Sequence, residues 1–145
     1  MTGRPPLSVI VPTLNAAGDL PAVLAALDPG DEVIVVDGGS ADGGPALARS
    51  FGAIVLDASP GRGGQLAAGA DAATADWMLF LHADTVPAPG WRDTVDLHMQ
   101  ARDGARMQPS FGSGWTIPQF RRGGWSGWSR RVSRCSACPT AIRGC

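Results

Sequence analysis

Short apolar runs alternate with segments of helical periodicity over the first hundred residues of the chain. Runs at residues 7–11, 33–36, 53–56 and 77–81 are rich in β-branched or large apolar side chains, which predicts four buried strands. Residues 20–27, 45–51 and 64–74 predict helices between them, and residues 87–91 open a last helix to about residue 101. This alternation predicts an α/β fold, with a mostly parallel sheet and helices on both faces.

Two aspartates are placed where helices are predicted to start. Asp19 precedes the apolar positions of the first helix, and Pro21 fits that helix's first turn. Asp42 stands shortly before the second helix, and we favour a capping role for it over a ligand-binding one.

The carboxyl ends of three predicted strands are polar. Residues 12–15 (PTLN) follow the first strand, Asp37 follows the second, and residues 82–85 (HADT) follow the fourth. Ligands of open α/β sheets bind at the carboxyl ends of the strands, so these residues predict a ligand crevice. We interpret Asp37 as functional rather than as a turn residue, and Asp84 as a metal ligand rather than a loop cap.

Two common nucleotide-binding patterns are missing from the sequence. The first strand runs into PTLN without a G-x-G-x-x-G fingerprint, and residues 38–43 lack the middle glycine and follow an acid. The chain contains no lysine, so it has no G-x-x-x-x-G-K-[ST] loop. A dinucleotide-dependent dehydrogenase and a P-loop enzyme are therefore both disfavoured.

Four ordered motifs make residues 7 to about 100 resemble the family-2 glycosyltransferases with the GT-A (Rossmann-like) fold. They are residues 9–15 (VIVPTLN), 35–43 (VVDGGSADG), 61–69 (GRGGQLAAG) and 81–85 (LHADT). The resemblance implies a domain that binds a nucleotide-diphosphate sugar, with uridine as the expected base. The family usually has Asp-x-Asp at the last motif, and the His-Ala-Asp form is similar to a bacterial subgroup.

The resemblance also implies roles for individual residues. Asp84 would hold Mn²⁺ or Mg²⁺, cations that prefer oxygen ligands and often take only one or two carboxylates plus phosphate oxygens. Arg62 would pair with phosphate as a bidentate donor, with a solvated side chain as the alternative. His82 replaces the family's first acid and would contact ribose or phosphate, or serve only as a strand-end histidine. The residues implied to contact the nucleotide are Pro12, Thr13, Asn15, Asp37, Gly38, Arg62, Gly63 and His82.

The C-terminal part of the chain differs sharply in composition from the rest. All 13 acids lie at or before Asp103, whereas seven arginines and all three cysteines follow it. No helix or strand periodicity is predicted after Met107. We therefore divide the chain into a donor-binding α/β domain at residues 1–104 and an irregular, disordered or out-of-frame tail at residues 105–145, with the sheet incomplete at the C-terminus.

A shifted reading frame would explain this tail. In the frame that joins the third base of each codon to the first two of the next, residues 137–145 can encode LPYGDQGL, and residues 115–118, with the last base of the Gly114 codon, can encode LDDP. These strings look like the C-terminal half expected of the subgroup, where the catalytic general base and the acceptor pocket would lie. The hypothesis is a frameshift between about residues 105 and 111, which would leave the catalytic base unidentified and impair transfer.

The cysteines and arginines of the tail point toward different functions. Cys135 and Cys138 form a C-x-x-C pair, but a structural zinc site needs four ligands, and only Cys145 remains nearby. Arginines interleaved with tryptophan and glycine would suit nucleic acid, although we expect no nucleic-acid partner. The alternatives to an active transferase are a non-catalytic nucleotide-binding fragment, or pseudoenzyme, and a basic-tailed nucleic-acid binder.

The expected location follows from the absence of targeting signals. Apolar runs such as residues 77–81 are too short to span a bilayer, and the first residues lack the pattern of a signal peptide. We expect a cytoplasmic protein, or one peripheral to the inner membrane that acts on a membrane-associated acceptor. The predicted reaction is metal-dependent, inverting transfer from a nucleotide sugar to an unknown acceptor.

Overall fold

Strands and helices alternate along the computed structural model, which describes residues 4–100, 110–111, 115–116 and 119–121. The strands of the first part are β1 (Leu7–Thr13), β2 (Glu32–Asp37), β3 (Ile54–Asp57) and β4 (Trp77–Phe80). The helices are α1 (Leu20–Ala25), α2 (Gly44–Ser50), α3 (Arg62–Ala72) and α4 (Trp91–Gln100). Three short strands follow: β5 (Ser110–Phe111), β6 (Trp115–Thr116) and β7 (Gln119–Arg121). Each strand and helix predicted over the first hundred residues is present, with its ends shifted slightly.

The main sheet has the strand order β3-β2-β1-β4-β7. β1 to β4 pair in parallel with one another, and β7 pairs antiparallel with β4. The mostly parallel sheet predicted from the sequence is therefore confirmed. The chain moves outward from β1 through β2 to β3 and then returns to the other side of β1 as β4. Such a reversal is the point where open α/β sheets bind ligands, outside the carboxyl ends of the strands.

Helices cover both faces of the sheet, as predicted. On one face, α1, α2 and α4 pack against buried strand residues that include Val9, Val35 and Leu79. On the other face, α3 packs against Ile10 and Val36. Because the central strands are buried on both faces, they read as continuous apolar runs rather than as alternating patterns.

A buried ion network fixes α4 at the amino edge of the sheet, opposite the polar strand ends. Arg92 is 5% exposed and donates to Asp31 at 2.8 Å, to the carbonyl oxygen of Pro5 at 2.8 Å, and to Asp96. Burial raises the pKa of Asp31, and the hydrogen bond from Arg92 opposes that rise only in part. Since Pro5 and Asp31 precede β1 and β2, the network ties α4 to the starts of both strands.

The sequence predicts no strand after Met107, and this prediction is wrong for β5, β6 and β7. β7 joins the main sheet beside β4, and β5 pairs antiparallel with β6. Strands this short take their conformation from pairing with a neighbour, which a local hydrophobic pattern does not reveal. The rest of the predicted tail, including Cys135 and Cys138, lies outside the described residues. The described residues therefore do not test the frameshift hypothesis. Within the described residues, no helix is both long and apolar enough to cross a membrane.

Candidate functional site

The loop after β1 and the loop after β2 are held together by hydrogen bonds that involve Asn15. The backbone N–H of Asn15 donates to Oγ of Ser40 at 2.7 Å, and Oδ1 of Asn15 accepts from the backbone N–H of Ala41 at 2.9 Å. Asn15 has φ 52, in the left-handed region that asparagine tolerates better than most residues. Asn15 therefore shapes the surface at the ends of both strands while remaining exposed itself.

Asp42 strengthens the same junction in a way that differs from a simple helix cap. The N-cap of α2 is Gly43, which makes no side-chain capping bond. Asp42 accepts from the N–H of Gly44 at 3.0 Å with Oδ1 and from the N–H of Ala17 at 2.7 Å with Oδ2. These bonds, first that from Ala17, lower the pKa of Asp42. The capping prediction captured only the bond to Gly44. Asp19 does occupy the N-cap of α1, but without a side-chain capping bond.

Asp37 is buried at the end of β2, with both carboxylate oxygens hydrogen-bonded. Oδ2 accepts from the backbone N–H groups of Gly39 at 2.9 Å and Ser40 at 2.8 Å. Oδ1 accepts from the hydroxyls of Ser40 at 2.5 Å and Thr13 at 3.2 Å. Burial raises the pKa of Asp37, but these four hydrogen bonds outweigh that effect and lower the pKa below its ordinary value. A carboxylate that is 3% exposed is thus kept ionised at the end of the strand.

Gln65 also reaches these strand ends, although no site role was predicted for it. Its Nε2 donates to the carbonyl oxygen of Thr13 at 2.7 Å and to that of Val36 at 2.9 Å, and the residue is 5% exposed. A sequence signal was present: Gln65 lies four residues before Gly69, which faces the sheet, so a polar side chain occupies an otherwise small or apolar helix face.

Gly38 is buried directly beside that glutamine. A Cβ added to Gly38 would lie 3.1 Å from Nε2 of Gln65 and 3.4 Å from the carbonyl oxygen of Thr13. The backbone N–H of Gly38 donates to the same Thr13 oxygen at 2.9 Å. Gly38 was predicted to contact the nucleotide, and the structure gives it a further role, because its missing side chain leaves room for the Gln65 amide.

Arg62 and Gly63 lie in the first turn of α3 rather than in a loop. The helix was predicted to begin near residue 64, and it begins at Arg62, after Gly61 with φ 144. The low helix propensity of glycine favours a loop here, whereas the contacts of Gln65 and Gly69 with the sheet stabilise the helix. Arg62 and Gly63 are both exposed, so the guanidinium and the free N–H groups of this turn face solvent.

The His-Ala-Asp segment follows β4 on the other side of β1. The N–H of Leu81 donates to the carbonyl oxygen of Ile10 at 3.0 Å, which extends the pairing of β4 with β1 to the start of this segment. The N–H of Thr85 donates to the carbonyl oxygen of His82 at 3.2 Å and closes a turn. Asp84 is exposed, and its Oδ1 accepts from the Thr85 hydroxyl at 3.2 Å.

Asp84 fits a divalent cation only if the ligand completes the coordination. Among the described residues, no group of three or more His, Cys, Asp and Glu side chains is placed to hold a metal ion. A lone exposed carboxylate suits Mg²⁺ or Mn²⁺ when phosphate oxygens and water supply the other ligands. The donor set therefore fits a metal that arrives with, or is held by, a diphosphate.

The predicted site residues divide by exposure into a floor and a rim. The floor is buried and consists of Thr13, Asp37 and Gly38. The rim is exposed or half-buried and consists of Pro12, Asn15, Arg62, Gly63, His82 and Asp84. β2, β1 and β4 are neighbours, so their carboxyl ends share one edge of the sheet. Two cavities of about 390 and 420 Å³ lie elsewhere, and neither is lined by these residues.

The sequence matches known glycosyltransferases over most of the described residues. A family model described as Glycosyl transferase family 2 matches residues 8–128. An uncharacterised glycosyltransferase of Mycobacterium tuberculosis is 39% identical over 79 residues, which cover 54% of this chain and 36% of that protein. A PGL/p-HBAD biosynthesis glycosyltransferase of the same species is 40% identical over 91 residues, covering 55% and 36% respectively. The matched region is about a third of the length of these relatives.

Solved structures share the fold. Glucosyl-3-phosphoglycerate synthase from M. tuberculosis, in complex with Mn²⁺, uridine diphosphate and phosphoglyceric acid, has a TM-score of 0.65 and 27% sequence identity, covering 77% of this chain and 45% of that chain. Residues 1–349 of TarS from S. aureus have a TM-score of 0.66 at 18% identity, covering 85% and 49%, a likeness of fold alone.

Proposed function

The chain belongs to glycosyl transferase family 2 and has the GT-A fold, and we propose that it binds a uridine-diphosphate sugar together with Mn²⁺ or Mg²⁺ for transfer of the sugar to an acceptor. One observation carries the proposal: the neighbouring ends of β2, β1 and β4 present Asp37, Thr13 and Asp84 at one edge of the sheet. The matched synthase has uridine diphosphate and Mn²⁺ bound in a structure of the same fold.

The base and ribose are proposed to lie over the joined loops after β1 and β2. Pro12 and Thr13 end β1, and Asn15 fixes the loop through Ser40 and Ala41, so the protein's own hydrogen bonds hold this surface in place. Asp37 is ionised and accepts only. A base N–H or a ribose hydroxyl would take the place of the Ser40 hydroxyl on Oδ1 of Asp37.

The diphosphate is proposed to lie between the first turn of α3 and the His-Ala-Asp segment. Arg62 supplies a planar guanidinium that can form two parallel hydrogen bonds with phosphate oxygens. Gly63 leaves open space beside it, because a Cβ there would meet nothing within 4 Å. His82 is half-buried and would contact ribose or phosphate from the opposite side.

A divalent cation would be held by Asp84 and by the diphosphate oxygens. Bound there, Mn²⁺ or Mg²⁺ supplies positive charge that stabilises the diphosphate as it leaves. The protein's own contribution is to place one carboxylate where both the cation and the ligand can reach it. The Thr85 hydroxyl donates to Oδ1 of Asp84, and the carboxylate would keep further lone pairs for a cation.

The proposed transfer is inverting. An acceptor hydroxyl attacks the anomeric carbon in line with the leaving group, a carboxylate takes the hydroxyl proton, and the bond from the anomeric carbon to the diphosphate oxygen breaks. We assign the general base to none of the described residues. Under the frameshift hypothesis the base is lost, and the chain would bind the donor with little transfer.

The acceptor is left open in this proposal. The matched synthase binds phosphoglyceric acid, whereas one relative is named for PGL/p-HBAD biosynthesis. A membrane-associated acceptor, with this chain bound peripherally to the membrane, is the form that the sequence led us to expect.

The test is a pair of aspartate substitutions on one strand. Asp84→Ala removes the carboxylate after the carboxyl end of β4, and Asp76→Ala removes an exposed carboxylate just before its amino end. We expect Asp84→Ala to abolish the Mn²⁺-dependent part of uridine diphosphate binding and Asp76→Ala to leave it intact. Equal, metal-dependent binding by both variants would refute the assignment of Asp84.

A further inference from the structure

We propose that Gln65 is a positioning residue for the donor site: its side-chain amide locks the first turn of α3, with Arg62, to the ends of β1 and β2. The inference rests on the proposed function and adds to it a residue outside the polar strand ends. Gln65 contacts no ligand in this proposal, and it acts through the groups that do.

Both amide hydrogens of Gln65 are used, and they join segments far apart in the sequence. Nε2 donates to the carbonyl oxygen of Thr13, 52 residues away, and to that of Val36, 29 residues away. Both residues lie next to Asp37. The Thr13 hydroxyl donates to the Asp37 carboxylate, and Val36 directly precedes Asp37 in β2. Backbone pairing already joins the two strand ends, and the Gln65 side chain links both of them to α3.

Arg62 lies three residues before Gln65 in the same helix. One helical turn contains about 3.6 residues, so Arg62 and Gln65 are rigidly related within a single turn. Fixing the Gln65 amide therefore also fixes where the Arg62 side chain leaves the helix. Without it, the first turn of α3, which contains Gly63 and Gly64, would be free to fray because glycine favours other conformations.

Gly38 packs closely against the Gln65 amide. Its φ lies outside the left-handed region, so its backbone does not require glycine. What requires a small residue is the Gln65 amide, 3.1 Å from the position that a Cβ on Gly38 would take. Substitutions at the two positions should thus be coupled: Gly38→Ala should weaken binding more beside Gln65 than in a Gln65→Ala background.

The first experiment removes the donors but keeps the side-chain volume. Gln65→Leu leaves two buried carbonyls without this donor, and Gln100→Leu makes the same chemical change at an exposed position in α4. With Mn²⁺ present, we expect Gln65→Leu to raise the dissociation constant of uridine diphosphate by about tenfold or more, because the first turn of α3, with Arg62, loses its link to the strand ends. The backbone N–H groups of Gly38, Gly39 and Ser40 should exchange faster with solvent. Gln100→Leu should change neither quantity.

A pH profile separates donation from mere packing. Gln65→Glu places acceptor oxygens against the carbonyls of Thr13 and Val36, but a protonated glutamic acid can donate one hydrogen bond. We therefore expect the affinity of Gln65→Glu, measured relative to the unsubstituted chain at the same pH, to recover as the pH falls. That of Gln65→Leu should not recover. A role in packing alone predicts instead that Gln65→Leu, which fills similar space without donating, binds as the unsubstituted chain does.

The two readouts separate this inference from the proposed function. If the unsubstituted chain fails to bind uridine diphosphate, the proposed function fails, and amide exchange alone then decides for or against the Gln65 lock. If Gln65→Leu does not fold, Gly38→Ala takes its place with amide exchange as the readout, because a change in affinity could arise from Gly38 itself, a predicted nucleotide contact. Unchanged affinity together with unchanged protection of residues 38–40 would overturn the inference.

Discussion

Gly69 of α3 lies so close to Ile10 of β1 that a Cβ added to the glycine would be 2.4 Å from Cγ2 of Ile10. The same Cβ would be 3.0 Å from Cγ2 of Val36. Real contacts of this kind are never so short, so α3 can pack at its present distance from the sheet only with glycine at this position. The close approach is also what allows Gln65, one turn earlier, to reach the strand ends.

Replacing Gly69 should therefore be costly, although alanine is the better helix former. We expect Gly69→Ala to lower the free energy of unfolding by about 1–3 kcal/mol through overpacking. The matched control is Gly64→Ala in the same helix, where a Cβ would meet nothing within 4 Å. It should raise stability by about 0.5–1 kcal/mol, since alanine restricts the unfolded chain. Urea denaturation of both variants checks the pair, and equal effects would show that α3 does not pack as described.

The hydrogen bonds accepted by Glu32 predict a contribution to the free energy of unfolding that is lost at low pH. Its carboxylate accepts from the Ser8 hydroxyl, and also from the backbone N–H of Thr74 at 2.9 Å and the Thr74 hydroxyl at 2.8 Å. Burial raises the pKa of Glu32, but these hydrogen bonds, first that from Ser8, outweigh it and lower the pKa below the ordinary value of 4.5. The unfolded chain therefore takes up this proton at a higher pH than the folded chain does.

The sign of the effect follows from that difference. The contribution of Glu32 is fully present above its unfolded pKa and is lost as the pH falls through the folded value. Glu32→Gln should cost about 0.5–1 kcal/mol at about pH 7, since solvent screens part of the interaction, and the cost should shrink as the pH falls below 4.5 and through the lowered pKa of the folded chain. Urea denaturation over this pH range measures the change. A cost that does not depend on pH would mean that the ionised carboxylate is not the source of the stability.

Arg62 should distinguish ligands by their phosphate content. Arg62→Leu is expected to weaken binding of uridine diphosphate by about tenfold, in line with a hydrogen bond to a charged group, and to leave the affinity for uridine nearly unchanged. Arg49→Leu is the control, because Arg49 is also exposed on a helix but lies in the last turn of α2. Calorimetric titration with the two ligands gives both ratios. Equal losses with uridine and with uridine diphosphate would place Arg62 away from the phosphates.

Much of the fold could be predicted because burial on both faces of the sheet leaves a strong local signal. β1 and β2 are mostly apolar runs, and α1 shows helical spacing with Asp19 at its N-cap. β7 could not be predicted, since a three-residue strand depends on pairing with β4. The first turn of α3 was also missed, because its glycines indicate a loop and its helical state depends on contacts with the sheet.

Part of the candidate site could likewise be predicted from the sequence, and part could not. Residues that end a strand, such as Asp37 and Asp84, could be picked out because topology gathers strand ends at one edge. The hydrogen-bond partners of Asp37 are not visible in the pattern of the sequence, and neither is the contact of Gln65 with Thr13 and Val36. These depend on distances between segments that only the folded chain brings together.

Titration of uridine diphosphate into the purified, folded chain, with and without Mn²⁺, tests the central claim most directly. The proposed donor site predicts binding that strengthens when Mn²⁺ is present, because Asp84 supplies one carboxylate and needs the cation to engage the diphosphate. Absence of binding under both conditions, in a sample whose circular dichroism shows the α/β fold, would contradict the donor-site assignment.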